Sequence, residues 1–310
     1  MITQIEGLHH VTALASGPQQ NNDFFTQILG LRRIKKTVNF DNPEVYHLYY
    51  GDETGTPGGV MTYFPFPDKA RGRPGTGEVG KTVFSVPEGA LAYWQSRLEG
   101  LGVEGLETKQ VFGQTQILFA GPDGDRLAMV ETADDNRPFR TVSDVPDEAA
   151  IRGFHSVALH LHDTAATAEL MQLMGYQLAA QDRFAQRYSR TGSNGAGIVD
   201  LHHLPGQDPA QQGAGSVHHV AFAVADRADQ LSVRARLLDA GFKVTDVIDR
   251  NYFWAIYFRT PGGILFEVAT DEPGFVHDEE PALLGEALKL PAQHEHLRAQ
   301  LEMKLPPIMA

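Results

Sequence analysis

The chain repeats one short grammar four times. Each copy opens on an apolar strand, enters an amphipathic helix closed by Leu-Gly, Met-Gly or Ala-Gly, and continues through several strands. Self-similarity of this kind limits the fold to copies of one supersecondary module, and one helix with about four strands is a βαβββ unit. The first unit opens with GLHHVTAL (residues 7–14). Its helix is NNDFFTQILG, with Asn21 or Asn22 as N-cap and Gly30 as the stop, and EVYHLYYG and GGVMTYF follow. The second opens with KTVFSVP, its helix is ALAYWQSRLEGLG, and QTQILFAGPDGDRLAMVE completes it. The third runs from GFHSVALHL through TAATAELMQLMG to AGIVDLHHL. The fourth runs from SVHHVAFAV through ADQLSVRARLLDAG to FWAIYFRTPGGILFEVAT. Pro and Gly recur before the last strand of three units, as tight hairpins require.

The expected fold is therefore α+β: four βαβββ modules forming two domains of paired modules, each a curved mixed sheet around a cavity. Length agrees, because 310 residues exceed what one core usually supports. Chain order gives an N-terminal domain at residues 1–135, a polar linker at 136–150, a C-terminal domain at 151–272 and a tail at 273–310. Within the tail, residues 292–303 are expected to be helical. There is no cysteine, so any metal must be held by histidine and carboxylate. The net charge of −13 argues against nucleic acid and anionic membrane as partners. No apolar run reaches bilayer length, and MITQIEGLHH has no basic-then-apolar leader, so a cytoplasmic protein is expected.

Laid on one another, the units align a doubled histidine in the first (His9, His10) with one in the fourth (His218, His219). The same slot reads His155-Ser156 in the third unit and Gly80-Lys81 in the second. Counting the last strand from its turn sets Glu267 on Ala128 of unit two and Tyr63 of unit one. Two histidines and a carboxylate on strands that face one concave sheet make a facial triad. That set suits iron(II) and leaves adjacent positions for substrate and dioxygen. Period-two alternation puts Val217, His219, Ala221 and Ala223 on one face, with His218, Val220, Phe222 and Val224 behind. The small alanines leave room for a metal, which marks His219 as the inward histidine. Glu267 stands between Phe266 and Val268, where an unpaired carboxylate costs several kcal/mol. Lys81, Ala128 and Ser156 at the other ligand slots exclude a second equivalent centre. One metal per chain is expected, with the first and fourth units facing each other across one cavity.

These residues resemble the vicinal oxygen chelate superfamily, which includes glyoxalase I, fosfomycin-resistance proteins and extradiol dioxygenases. Within it, GLHHVT, FDNPEVYHLYYGDETGTPGGVMTYFP, FGQTQILFAGPDG, RGFHSVAL, VHHVAFAV, YFRTPGGILFEVAT and GFVHDEE together look like ring-cleaving hydroquinone 1,2-dioxygenases over almost the whole chain. The resemblance implies Fe(II), with Mn, Zn or Ni as other occupants, held by His10, His219 and Glu267. It implies supporting roles for His9, Thr12, His218, Arg250 and Tyr257. For His9 and His218 two readings stay open: alternation sends both to the back of the sheet, and the resemblance sets both beside the metal. The implied reaction opens a hydroquinone, substituted or not, with O2, so a small aromatic diol and dioxygen are the expected partners. Tyr257 is the implied hydrogen-bonding and acid–base group, and Arg250 favours developing negative charge. Three alternatives remain. Two are enzymes of the same architecture, an extradiol catechol dioxygenase and a glyoxalase-type isomerase or transferase; the third is a non-catalytic binder of aromatic compounds. Unpaired sheet edges are where copies of the chain would join as a homo-oligomer.

Overall fold

The computed structural model describes residues 1–309. All four modules form. Module one comprises β1 (Gly7–Ala15), α1 (Pro18–Asp23), β2 (Arg32–Asn39), β3 (Asn42–Gly51) and β4 (Val60–Pro65). Module two comprises β5 (Glu78–Val86), α2 (Leu91–Gly100), β6 (Glu107–Val111), β7 (Gln114–Ala120) and β8 (Arg126–Glu131). Module three comprises β9 (Gly153–Leu161), α3 (Ala165–Leu173), β10 (Gln177–Gln181), β11 (Ala185–Ser189) and β12 (Ile198–His203). Module four comprises β13 (Val217–Val224), α4 (Arg227–Asp239), β14 (Ile248–Asp249), β15 (Phe253–Arg259) and β16 (Leu265–Pro273). In the tail a 3₁₀ turn, Ala292–Leu297, precedes α5 (Arg298–Lys304), so the helix expected over 292–303 is α-helical only in its second half.

Helix α1 starts earlier than its asparagines suggest. Gly17 is the extended N-cap and Pro18 takes the first turn, where its missing N–H costs nothing. Asn21 and Asn22 are instead buried inside the helix. Their side-chain oxygens accept from Tyr50 Oη at 3.0 Å and Arg33 at 2.6 Å. Short polar side chains serve here as anchors for the neighbouring strands.

The strands form two mixed eight-stranded sheets. One has the order β14-β15-β16-β13-β1-β4-β3-β2, and the other β10-β11-β12-β9-β5-β8-β7-β6. The sheets thus join module four to one and module three to two. Residues 1–135 and 151–272 do not each own a sheet, which revises the chain-order halves read from the sequence. The reason is edge pairing. Inside a module the first strand has one neighbour, as β1 has β4, and its free edge must find a partner. Strand β1 finds β13, and β5 finds β9, both antiparallel.

Two crossovers carry the chain between sheets, residues 66–77 outward and 204–216 back. They run together: Gly72 N–H donates to Ala214 O at 2.9 Å, Arg73 to Gln211 O at 2.8 Å and Thr76 to Asp208 O at 2.9 Å. Leu8, Phe84, Phe154 and Phe222 belong to one continuous buried core shared by both sheets. The tail returns over β2: Lys289 N–H donates to Lys36 O at 2.9 Å and covers an otherwise open edge. Beneath it the fully buried Lys35 ammonium meets Asp278 at 2.7 Å and Glu279 at 2.5 Å. Among the described residues no helix is long and apolar enough to cross a membrane.

Candidate metal centre

The site grows out of two β-bulges. Along the β1–β13 seam, Leu8 faces Phe222 and Val11 faces Val220, so β1 carries one extra residue at His9-His10. Thr12 then faces His219 and Ala13 faces Val217, so β13 carries one extra residue at His218. A bulge breaks strict alternation and brings neighbouring side chains toward the same side. Both members of each doublet therefore stay at the site. His9 Nδ1 meets His10 Nδ1 at 2.9 Å, and His218 Nδ1 meets His219 Nδ1 at 2.8 Å. Of the two readings open for His9 and His218, the back-face one fails for this reason. The other sheet bulges at the matching slots, Gly80 on β5 and His155 on β9.

The three residues read as ligands converge. His10 Nε2 and His219 Nε2 are 3.2 Å apart. Glu267 Oε2 lies 2.9 Å from His219 Nε2 and 3.5 Å from His10 Nε2. Donors at right angles on bonds of about 2.1 Å lie about 3.0 Å apart, so this triangle has the size of one face of an octahedron. Glu267 is wholly buried, and neither of its oxygens has a hydrogen-bond partner. A buried orphaned carboxylate beside two imidazole nitrogens fits a cation, and among the described residues this is the one such cluster of three. Burial alone would raise the Glu267 carboxyl, but the two imidazoles outweigh it and hold it well below the usual range. Burial, then the adjacent imidazole, pushes His9 down to about 3 and His218 down to about 4. Both are neutral at ordinary pH, so each has one donor and one acceptor nitrogen.

A cavity of about 340 Å³ opens in front of the triangle. His10, His219, Glu267, His218, Tyr257 and Arg250 line it. Tyr257 faces Glu267 across β15 and β16, and its hydroxyl accepts from Arg250 Nε at 3.1 Å. Arg250 also reaches Asp41 at 3.2 Å, at the mouth. Thr12 stays outside the cavity and bonds Thr62 Oγ1 at 2.8 Å. The register corrects one overlay. Ala221 pairs with Glu267 two residues past His219, and Thr12 pairs with Thr62 two residues past His10. Module one therefore has Thr62 in the carboxylate slot, not Tyr63. The matching residue of module two is Ala128, opposite Val83. In module three it is Asp200, opposite Ala158 and held by Arg187 through bonds of 2.8 and 2.9 Å.

Sequence reasoning missed His47, Tyr49 and Phe64, which also line the cavity. The signal was present in EVYHLYYG. Alternation sets His47 and Tyr49 on one face of β3 against Tyr46, Leu48 and Tyr50 on the other.

Residues 7–129 and 153–268 each match the model of the Glyoxalase/Bleomycin resistance protein/Dioxygenase superfamily. The chain belongs to that superfamily. A Bacillus subtilis protein named "Putative ring-cleaving dioxygenase MhqO" is 42% identical over 99% of this chain and 98% of its own. The chlorohydroquinone/hydroquinone 1,2-dioxygenase of Sphingobium indicum is 36% identical over 96% of this chain and 95% of its own. The crystal structure of a B. subtilis "putative dioxygenase" superposes with a TM-score of 0.96 at 41% identity, over 99% of this chain and 98% of that one. Two curled mixed sheets built from paired βαβββ modules are the superfamily's fold, as the repeats imply.

Proposed function

We propose that the chain is a non-haem iron(II) dioxygenase that opens a hydroquinone ring. The observation that carries this reading is the buried triangle of His10 Nε2, His219 Nε2 and Glu267 Oε2 at the floor of a cavity sized for a small molecule. A donor set of two imidazoles and one carboxylate on a single face suits iron(II), which when bound supplies a template and electron path between an aromatic diol and O2. The similarity to a hydroquinone 1,2-dioxygenase supports the substrate class. Thr62 in the carboxylate slot of module one, its hydroxyl already engaged, supports three protein ligands over the four of a glyoxalase-type centre.

The chain's own groups have defined tasks in this reading. Ligation through Nε2 leaves Nδ1–H of His10 and His219 to donate to His9 and His218, which fixes each ring's tautomer and direction. Burial, then the Glu267 charge, raises the Tyr257 phenol well above its ordinary value, so it stays protonated and donates a hydrogen bond to a substrate oxygen. Arg250 orients that phenol from behind and offsets negative charge on the ring. Phe253 and Phe64 form apolar walls that help to exclude water.

The test is anaerobic purification, metal analysis and iron(II) loading, followed by oxygen uptake on a panel of hydroquinones and catechols. Uptake with hydroquinones and ring-opened products is expected. Uptake with catechols alone would move the chain to the extradiol class, and no uptake with any diol would refute the dioxygenase reading.

A further inference from the structure

The cavity has polar lining besides the metal triangle. His47 and Tyr49 project from β3 into it, 8% and 1% exposed. Both nitrogens of His47 are engaged: Nε2 with Thr62 Oγ1 at 2.8 Å and Nδ1 with Tyr49 Oη at 2.8 Å. Thr62 Oγ1 continues to Thr12 Oγ1 at 2.8 Å. Thr12, Thr62, His47 and Tyr49 thus form one hydrogen-bonded chain. Among the described residues the Tyr49 hydroxyl has no other hydrogen-bond partner than His47, and its ring packs against Phe275 at 5.1 Å between centroids.

Counting donors shows what this chain can do. The two threonine hydroxyls, one N–H of a neutral imidazole and the tyrosine hydroxyl supply four donors. The chain contains three bonds. One donor is left over, on Tyr49 when Tyr49 accepts from His47 and on a threonine when Tyr49 donates to it. When every bond runs from Thr12 toward Tyr49, the spare donor is Tyr49 O–H, aimed at the cavity. When every bond runs the other way, the spare donor is Thr12, and Tyr49 Oη meets the cavity as an acceptor. Burial, then the nearby imidazoles, holds His47 well below its ordinary value and keeps it neutral, as both orientations require.

We infer that Tyr49, held by His47 and Thr62, receives the ring hydroxyl para to the one that goes to the metal. This rests on the hydroquinone reading given above. A para-diol cannot reach one metal with both oxygens, so its second hydroxyl needs a partner elsewhere in the cavity. Tyr49 accepts from that hydroxyl or donates to its oxygen, according to the direction of the chain behind it. The substrate class that fits is a ring with an oxygen at each end. A phenol lacking the second oxygen leaves Tyr49 unmet.

Anaerobic calorimetry on the iron(II)-loaded protein tests this without turnover. The parent should bind hydroquinone about tenfold more tightly than phenol. Tyr49→Phe should bind phenol as the parent does and lose the tenfold preference. Thr62→Val, which cuts the chain behind His47, should reduce the preference severalfold, again with phenol affinity unchanged. It also covers the case in which Tyr49→Phe fails to fold. A preference that survives in either variant, or a parent with no preference, overturns the inference. Failure of the hydroquinone reading is separately visible, as absent oxygen uptake by the iron-loaded parent.

Discussion

Each histidine doublet divides its labour by nitrogen. In each pair one ring turns Nε2 toward the triangle, and its neighbour braces Nδ1 from behind. The two kinds of histidine should therefore fail differently. Glu267→Gln and His219→Ala each remove a donor from the triangle, so iron(II) affinity should fall by more than about a hundredfold with the fold retained. His218→Ala removes only the brace and should cost about ten- to a hundredfold. Metal titration under anaerobic conditions, with circular dichroism to check folding, reads both effects. Equal losses for His218→Ala and His219→Ala would contradict the division.

Strands and their connections show where the sequence was legible. The modules could be read directly, because the helical and period-two patterns are local to each segment. The bulges could not, since a bulge is an extra residue relative to a partner strand and leaves no mark in either strand alone. That hidden property explains the ambiguity over His9 and His218, whereas the slip from Thr62 to Tyr63 arises because this slot lies one residue nearer the Pro-Gly turn in module one than in module four. His10, His219 and Glu267, distant in sequence, still come together as expected, because module-relative positions survive any pairing. Which module pairs with which is a non-local choice made between strand edges. The paired crossovers make one element-level prediction. A Cβ added at Gly75 would lie 2.2 Å from Asp208 O and 2.7 Å from Ala210 N, both backbone atoms. Gly75→Ala should force the crossovers apart and cost about 1–3 kcal/mol in urea unfolding. A neutral result would mean that they separate freely.

The two sheets are also tied by a buried polar bridge. Tyr63 of β4 donates to Asp125 at 2.8 Å, and Ser16 donates to Asp123 at 2.6 Å, so the first sheet holds the β7–β8 turn of the second. Burial pushes Asp125 up to about 6 from an ordinary 3.8. The folded state therefore binds this proton more tightly than the unfolded chain, and the contribution to stability grows as pH falls through 6. From pH 7.5 to 5 the gain is on the order of 1 kcal/mol, and Asp125→Asn should lack it. Urea midpoints of both proteins at the two pH values measure the difference; parallel shifts would refute it. The order in which the sheets close has a consequence of its own. Modules one and four enclose modules two and three like an outer pair of brackets around an inner pair. On the ribosome the inner pair can close first, while His10 waits on an open strand edge for a partner more than two hundred residues downstream. A metal held by this triangle would need the outer brackets closed, so loading would report that modules one and four had met.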